Sequence, residues 1–516
     1  MGASQEKRRR STERTDGTDK RQQALEAAAK KKKFEKTRNT IIGVAILLLI
    51  VAILVLNSDF FYTNATAVKI GDRSYSIAEV SYYYHKQYAE TANSEYAAYF
   101  GLDTSKPLDD QICAFDETMT WHEYFKNSAI DTLRSVAAML DAAEAEGFTL
   151  SQTGQDNIAA ELASLEASYA QYGYQSANQF LVAQFGRGVT TKIFENIIHD
   201  YQLAGEYALH KNGSFTFTDD EIEAHYTEKM NDFDVLRYRL FQIASVVDEE
   251  NNIDEAAAMV IADEAASNVA AAKTEEEFLA LCVENAAEGS ATLYEDPTYS
   301  LKTRYPNGTL SEEYSEWLLD TARVAGDVEK FESSNGYVVL YFLERDDNHY
   351  YPRNVRHILI DGDLTTPENS EVSQEDAREE AKGFMLPQAE SLYEQWKTGD
   401  ATEESFAELA NINSGDTGSN TNGGLYESVT KWTMVPEFND FLFDPAKQPG
   451  DTGIVYGQTS SYFGYHIMYY VGEAEELYSA TLSRSDLQNA AYTEWETAEL
   501  AKYTASTSFP LRFVGK

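Results

Sequence analysis

The chain has 516 residues, with 42 Lys+Arg against 85 Asp+Glu and a formal net charge of −43. That length predicts about three domains, and 43% hydrophobic with 12% aromatic residues excludes a disordered acidic chain, which lacks the apolar area to offset ordering entropy. The acidic balance speaks against nucleic acid as a partner, and two cysteines, Cys113 and Cys282, make neither a disulfide scaffold nor a four-Cys zinc site, leaving one disulfide or two buried thiols.

The charge is uneven along the chain. Residues 1–40 hold 13 Lys/Arg and six Asp/Glu, a local charge of +7, and the remainder carries −50. At the join lies an unbroken apolar run, Ile41–Leu56, then Asn57-Ser58-Asp59 and the trio Phe60-Phe61-Tyr62. About 20 helical residues cross a bilayer core, so 41–62 predicts a transmembrane helix with the trio at its far interface. The positive-inside rule puts the basic tail, 1–40, in the cytoplasm. Three other readings fit less well. A signal peptide cleaved at Ala65-Thr66-Ala67 has its site far from the run. A lipoprotein needs a Cys just after it, and a core helix leaves the basic flank without a reason. The expectation is a single-pass signal anchor in the cell membrane, N-terminus cytoplasmic, with the bulk extracytoplasmic.

From 63 to 232 the pattern is helical. Leu133, Val136, Ala137 and Leu140 keep one helical face and stop at Gly147, and Ile158, Leu162, Leu165 and Tyr169 repeat the spacing before Gly173. Thr218-x-x-Glu221 is a capping box. The pattern then changes twice, in parallel. Leu236–Ile243 and Val355–Ile360 read as strands, each followed by a helical segment (274–286 and 402–414) and closed by a Gly-Tyr-led strand at Gly336 and Gly464. Between these landmarks Leu310, Tyr314, Leu319, Gly326 and Asp327 register without a gap on Met434, Phe438, Phe443, Gly450 and Asp451. We expect an internal duplication of a roughly 110-residue α/β unit, 235–346 and 352–473. In 474–516, Leu487, Ala491 and Trp495 share one helical face, which predicts a helix docking back on an earlier domain. The fold class is α+β.

Hydrolase, P-loop and His-Glu-x-x-His metal signatures are absent from the sequence. Of eight histidines only His357 and His466 fall in strand patterns, both in the second copy; the first has Leu240 or Tyr238, and Val338, there. The segments Val355-Arg-His-Ile-Leu-Ile360, Asp416-Thr-Gly-Ser-Asn-Thr-Asn-Gly-Gly424, Met434-Val-Pro-Glu-Phe438 with Phe443, and Phe463-Gly-Tyr-His-Ile467 resemble, in order, the motifs of parvulin-type peptidyl-prolyl isomerases. The wider layout resembles membrane-anchored extracytoplasmic foldases of the PrsA and SurA type, in which a helical chaperone-like domain precedes one or two parvulin units and a C-terminal helix returns.

The resemblance implies that Met434, Phe438 and Phe443, with Tyr426 and Tyr465, bind substrate. His357 and His466 would be paired imidazoles, and Asp416 would lie near the substrate carbonyl, tuning the twisted amide without attacking it. Each has a plainer reading beside it: core for the apolar residues, a turn for Asp416, a structural bridge for the histidines. The family's Gly-Gly-Asp-Leu-Gly is here Gly423-Gly424-Leu425-Tyr426-Glu427, and its Gln before Met is Thr433. The first copy, without imidazoles, reads as a degenerate spacer or peptide-binding surface. No cofactor or metal is implied. The implied partners are unfolded or nascent exported proteins with X–Pro bonds; the other reading is a non-catalytic holdase or assembly scaffold.

Overall fold

The computed structural model describes residues 3–247, 254–287, 289–362, 374–458 and 463–516, apart from the side chains of 3–20 and 374–377. The basic side chains from Lys7 to Lys20 thus lie outside the described residues. The chain divides into two compact units, Met1–Phe215 with Ala491–Lys516, and Thr216–Ala490.

In the first unit one helix runs from Ala3 to Leu56 and leaves the large apolar side chains between Ile41 and Val55 exposed. It does not continue through the aromatic trio, as the sequence suggests. Ser58 caps a separate short helix, Asp59–Asn64, its hydroxyl accepting from the Phe61 N–H at 3.3 Å. Phe61 and Tyr62 turn inward and meet Phe513 edge-on at 5.4 and 6.2 Å; Phe60 alone stays exposed. The core of this unit gathers Tyr84, Trp121, Phe125 and Leu133 from two long helices, Ile77–Ala92 and Trp121–Glu146. The second is opened by a Thr120/Glu123 capping box and closed by Gly147 at φ +67°, a left-handed cap that glycine adopts without strain. Leu133, Val136, Ala137 and Leu140 are buried as their spacing requires. The C-terminus returns as more than a helix. Residues Ala505–Thr507 pair antiparallel with Thr66–Ile70, and Val514 is fully buried. Trp495 meets Tyr207 at 6.3 Å.

The second unit begins earlier than the sequence suggests. The helix Asp219–Phe233, grouped by its pattern with the helical domain to 232, belongs here. Its Tyr226 hydroxyl donates to Asp234 and to the Asp347 carbonyl, and the Asn348 side chain donates to the Phe233 carbonyl at 2.8 Å. These long-range bonds are invisible to periodicity.

Two four-stranded antiparallel sheets follow, in the same strand order. The first runs Leu301–Arg304, Val235–Ala244, Gly336–Asp346, Val328–Ser333. The second runs Leu425–Val429, Arg353–Asp361, Phe463–Glu473, Thr452–Gln458. Their central strand pairs carry register shifts at matching places, between Arg237 and Tyr238 and between Tyr470 and Gly472. Arg239 pairs with Glu275 at 2.8 Å, and Arg356 with Glu403 at 2.9 Å, each Glu following a Thr that caps the helix over the sheet. Gly326 and Gly450, at φ +94° and +95°, each donate their N–H to a carbonyl of the long central strand, Phe342 and Tyr470. Leu240 faces Leu340 as His357 faces Met468, so the residue standing where His357 does is Leu240 and not Tyr238.

Both cysteines are free and fully buried, and burial pushes the Cys282 thiol up to about 12. Native protein should therefore take up no maleimide at neutral pH, and two equivalents per chain in denaturant; labelling in denaturant that appears only after reduction would contradict this.

Candidate active site

On a strand, side chains two apart share a face. His357, Leu359 and Asp361 accordingly point to one side of the second sheet, and so does His466 from the neighbouring strand, opposite Leu359. Three further segments close over that face. The loop after the helix Glu403–Asn413 brings Asp416 and Thr417, the edge strand brings Tyr426, and the turn before the helix Pro436–Phe443 brings Thr433, Met434, Val435 and Phe438. Together they line an open groove of about 440 Å³. Its floor is polar and its flank apolar.

The floor is a chain of hydrogen bonds. The Asp416 carboxylate accepts from His357 Nε2 at 2.9 Å, and His357 Nδ1 lies 3.1 Å from His466 Nδ1, the two rings stacked 20° from parallel. A carboxylate can only accept, so Nε2 of His357 carries a proton and donates it, and a single further proton joins the two facing Nδ1 atoms. Asp416 also accepts from the Ser419 hydroxyl, the Tyr426 hydroxyl at 3.0 Å and the Gly418 N–H at 3.1 Å. The His357 bond above all, with the Ser419 and Gly418 donors, outweighs burial and holds Asp416 below the usual carboxylate range. Burial pushes His466 down to about 3, helped by the neighbouring His357 and opposed by Asp416. The line of hydrogen bonds therefore runs from a neutral His466 to a fixed negative charge at Asp416. Phe438, itself buried, sets its ring edge-on to both imidazoles at 5.6 and 5.3 Å.

The loop that carries Asp416 is tied to the sheet by its backbone. Gly424, at φ +71°, accepts from the His357 N–H at 2.9 Å, and a Cβ there would sit 2.2 Å from the His357 carbonyl. Only glycine fits. Arg356 donates to the Asn422 and Gly423 carbonyls, both at 3.0 Å.

His357, Asp416, His466, Met434, Phe438 and Tyr426 thus converge. Two expected binding residues do not. Phe443 lies against Tyr350 and Arg353, each ring or charge 5.6 Å away, because five residues along a helix from Phe438 turns it well off that face. Tyr465 neighbours His466, so strand alternation puts it on the opposite, helix-covered face, 5.1 Å from Tyr456. One residue was missed. Ser419 is fully buried and bridges Asp416 and His357, 3.3 Å from Nε2; in sequence it is one more polar residue of a turn. Among the described residues no group of three or more His, Cys, Asp or Glu could hold a metal ion.

Residues 343–473 match the PPIC-type PPIase domain family. The chain is 30% identical over 177 residues to Chaperone SurA of Pseudomonas aeruginosa, and 31% over 173 residues to Chaperone SurA of Pseudomonas putida. These matches span 33% and 31% of this chain, and only 37% and 34% of the relatives' length. Solved structures of the peptidylprolyl isomerase PrsA from Bacillus anthracis and Bacillus cereus align with 47% and 53% of this chain and 94% and 93% of theirs. Their identities are 17% and 16% and their TM-scores 0.19 and 0.20, too low to establish a common overall arrangement.

The site makes stability depend on pH. Unfolded, the imidazole of His466 takes a proton near 6.5, and folded only near 3, so between these values unfolding takes up a proton and stability falls as pH falls. The ionised Asp416 adds a loss at lower pH still, in the same direction. In denaturant titrations, the full chain should lose on the order of a few kcal/mol between pH 7 and 4 through His466. His466→Leu should be the less stable protein at pH 7 with a gap that closes toward pH 4; parallel curves would contradict the assignment.

Proposed function

Residues 343–473 form a parvulin-type peptidyl-prolyl isomerase domain, and we propose that the whole chain is a foldase that isomerises X–Pro bonds in unfolded exported proteins at the outer face of the membrane. The observation that carries this reading is the convergence of the Asp416–His357–His466 chain with Met434 and Phe438 on one open groove.

An X–Pro bond resists rotation because amide resonance must be broken, a barrier of about 18–20 kcal/mol. In the planar amide the oxygen carries negative and the nitrogen positive charge; twisting removes both. A fixed anion close to the oxygen therefore raises the planar form more than the twisted one. Asp416 suits that role. Its lone pairs are taken by four donors, so it attacks nothing, and its depressed pKa keeps it charged. Met434, Val435 and Phe438 offer the proline ring a dry wall, and His357, backed by the neutral His466, holds Asp416 in place. Tyr426 replaces the family's apolar pocket residue with a hydroxyl on Asp416, which spreads the anion's charge. We expect Tyr426→Phe to keep or raise the rate.

The exposed apolar helix supports the membrane part of the proposal. The 16 residues Ile41–Leu56 cover about 24 Å at 1.5 Å each, somewhat short of a hydrocarbon core of about 30 Å. Arg38 and Lys36 can reach the headgroups by snorkelling. Ser58 and the helix it opens then mark the point where the chain leaves the membrane. The first four-stranded unit, with Leu240 and Val338 where the second has histidines, we read as a non-catalytic copy of the same domain.

A protease-coupled assay on a prolyl tetrapeptide, with the full chain in detergent micelles, tests the activity. His466→Ala and Met434→Ala should each lower kcat/KM by about ten- to a hundredfold, about 1.4–2.7 kcal/mol of transition-state stabilisation. No acceleration by the wild type would overturn the isomerase and favour a holdase, which should suppress client aggregation equally well without its histidines.

A further inference from the structure

Met434 is held by no regular structure. It sits in the turn 430–435, between the edge strand Leu425–Val429 and the helix Pro436–Phe443. That turn contains Trp432 at φ +70°, a left-handed conformation that a bulky residue adopts only where its surroundings enforce it. Near the matching position of the first sheet's domain the left-handed residue is Asn307, at φ +59°, a side chain that adopts this conformation more readily. The bulky indole is thus held in this conformation by its contacts.

Those contacts lead out of the isomerase domain. The Arg237 guanidinium lies over the indole, 3.8 Å from its centroid, and is itself held by Glu344 at 2.5 Å. The Tyr305 hydroxyl donates to the Trp432 carbonyl at 2.5 Å. Next to it, Lys431 Nζ reaches Asp346 at 2.5 Å. Arg237, Glu344 and Asp346 stand on the two central strands of the first sheet, and Tyr305 directly follows its edge strand Leu301–Arg304. From the isomerase side, Asn439 accepts from the Trp432 N–H at 2.8 Å, and the Lys431 N–H donates to the Tyr350 hydroxyl at 2.9 Å. Two residues beyond Trp432 lies Met434, in the groove wall.

We propose that the first domain is a clamp on the active-site turn of the second: Arg237 and Tyr305 are positioning residues that fix Trp432 and thereby hold Met434 over the histidine pair. This rests on the isomerase reading of the groove and gives the domain without imidazoles a part in it. Neither Arg237 nor Tyr305 touches the groove, so neither is a catalytic residue. When they are lost, the turn samples other conformations, and substrate finds a competent groove for only a fraction of the time. Apparent affinity falls by that fraction, whereas the step after binding is unchanged. The signature is a raised KM and Kd with kcat preserved, which a merely structural role would not produce at temperatures far below unfolding.

The test uses the full chain in micelles: wild type, Arg237→Gln, Arg237→Lys, Tyr305→Phe and Trp432→Gly. Binding of a fluorescent prolyl peptide is read by anisotropy beside steady-state isomerisation and thermal melting. Arg237→Gln and Trp432→Gly should raise Kd and KM about three- to tenfold with kcat within about twofold. Arg237→Lys, which keeps a cation over the indole, should recover part of the loss. Tyr305→Phe removes one half-exposed hydroxyl, so its folding is secure, and its effect should be smaller in the same direction. Unchanged Kd and KM in both Arg237→Gln and Trp432→Gly overturn the clamp. A wild type that binds peptide without isomerising it overturns the isomerase reading and leaves the Kd comparison to decide the clamp; a wild type that does neither overturns both.

Discussion

The hydrogen-bonded line from Asp416 through His357 to His466 is the interaction on which the site depends. Two imidazoles on the buried face of a sheet are costly unless each polar atom is matched. Here the demand is met by importing a carboxylate on a loop. That one requirement explains the backbone tie of Gly424 to His357, the grip of Arg356 on the Asn422 and Gly423 carbonyls, and the burial of Ser419. It also fixes the chemistry available: a neutral His466, a His357 bonded to a permanent anion, and no nucleophile among them.

The two four-stranded domains make the point by contrast. They share strand order, matching register shifts, an Arg–Glu pair from strand to helix and a left-handed glycine at the same turn. With Leu240 and Val338 in place of the imidazoles, the first sheet needs no imported carboxylate on this face. The same backbone frame thus tolerates either an apolar or a hydrogen-bonded floor, and the choice decides what the groove can do. What the first domain does contribute, on our reading, passes through Arg237 and Tyr305 to the turn that carries Met434.

Much of this was legible in the sequence because it is local or periodic. The strands at 236–243 and 355–360 and the capping box at Thr218 have short-range causes, and the spaced motifs at 357, 416, 434 and 466 were readable from the resemblance. What was not legible depends on direction or distance. Phe443 is apolar and near Phe438 in sequence, yet helical rotation takes it to Tyr350. Tyr465 is adjacent to His466 and for that reason faces away from it. The aromatic trio extends the apolar run on paper, whereas Ser58 ends it by capping a new helix. Ser419 looks like any turn serine until the fold brings His357 to it. The C-terminal strand Ala505–Thr507 is too short to announce itself without its partner Thr66–Ile70.

The proposed topology sets the acidic bulk and the basic tail on opposite sides of a membrane, but the proposed catalysis depends on the histidine pair. The most direct test is nitrogen NMR of the full chain in micelles, with its histidines labelled. At pH 6 we expect a neutral His466 ring coupled through Nδ1 to His357, whose Nε2 carries a proton, and loss of the pair's signature in Asp416→Ala. A His466 resonance with both nitrogens protonated at pH 6, or a pair indifferent to Asp416→Ala, would contradict it.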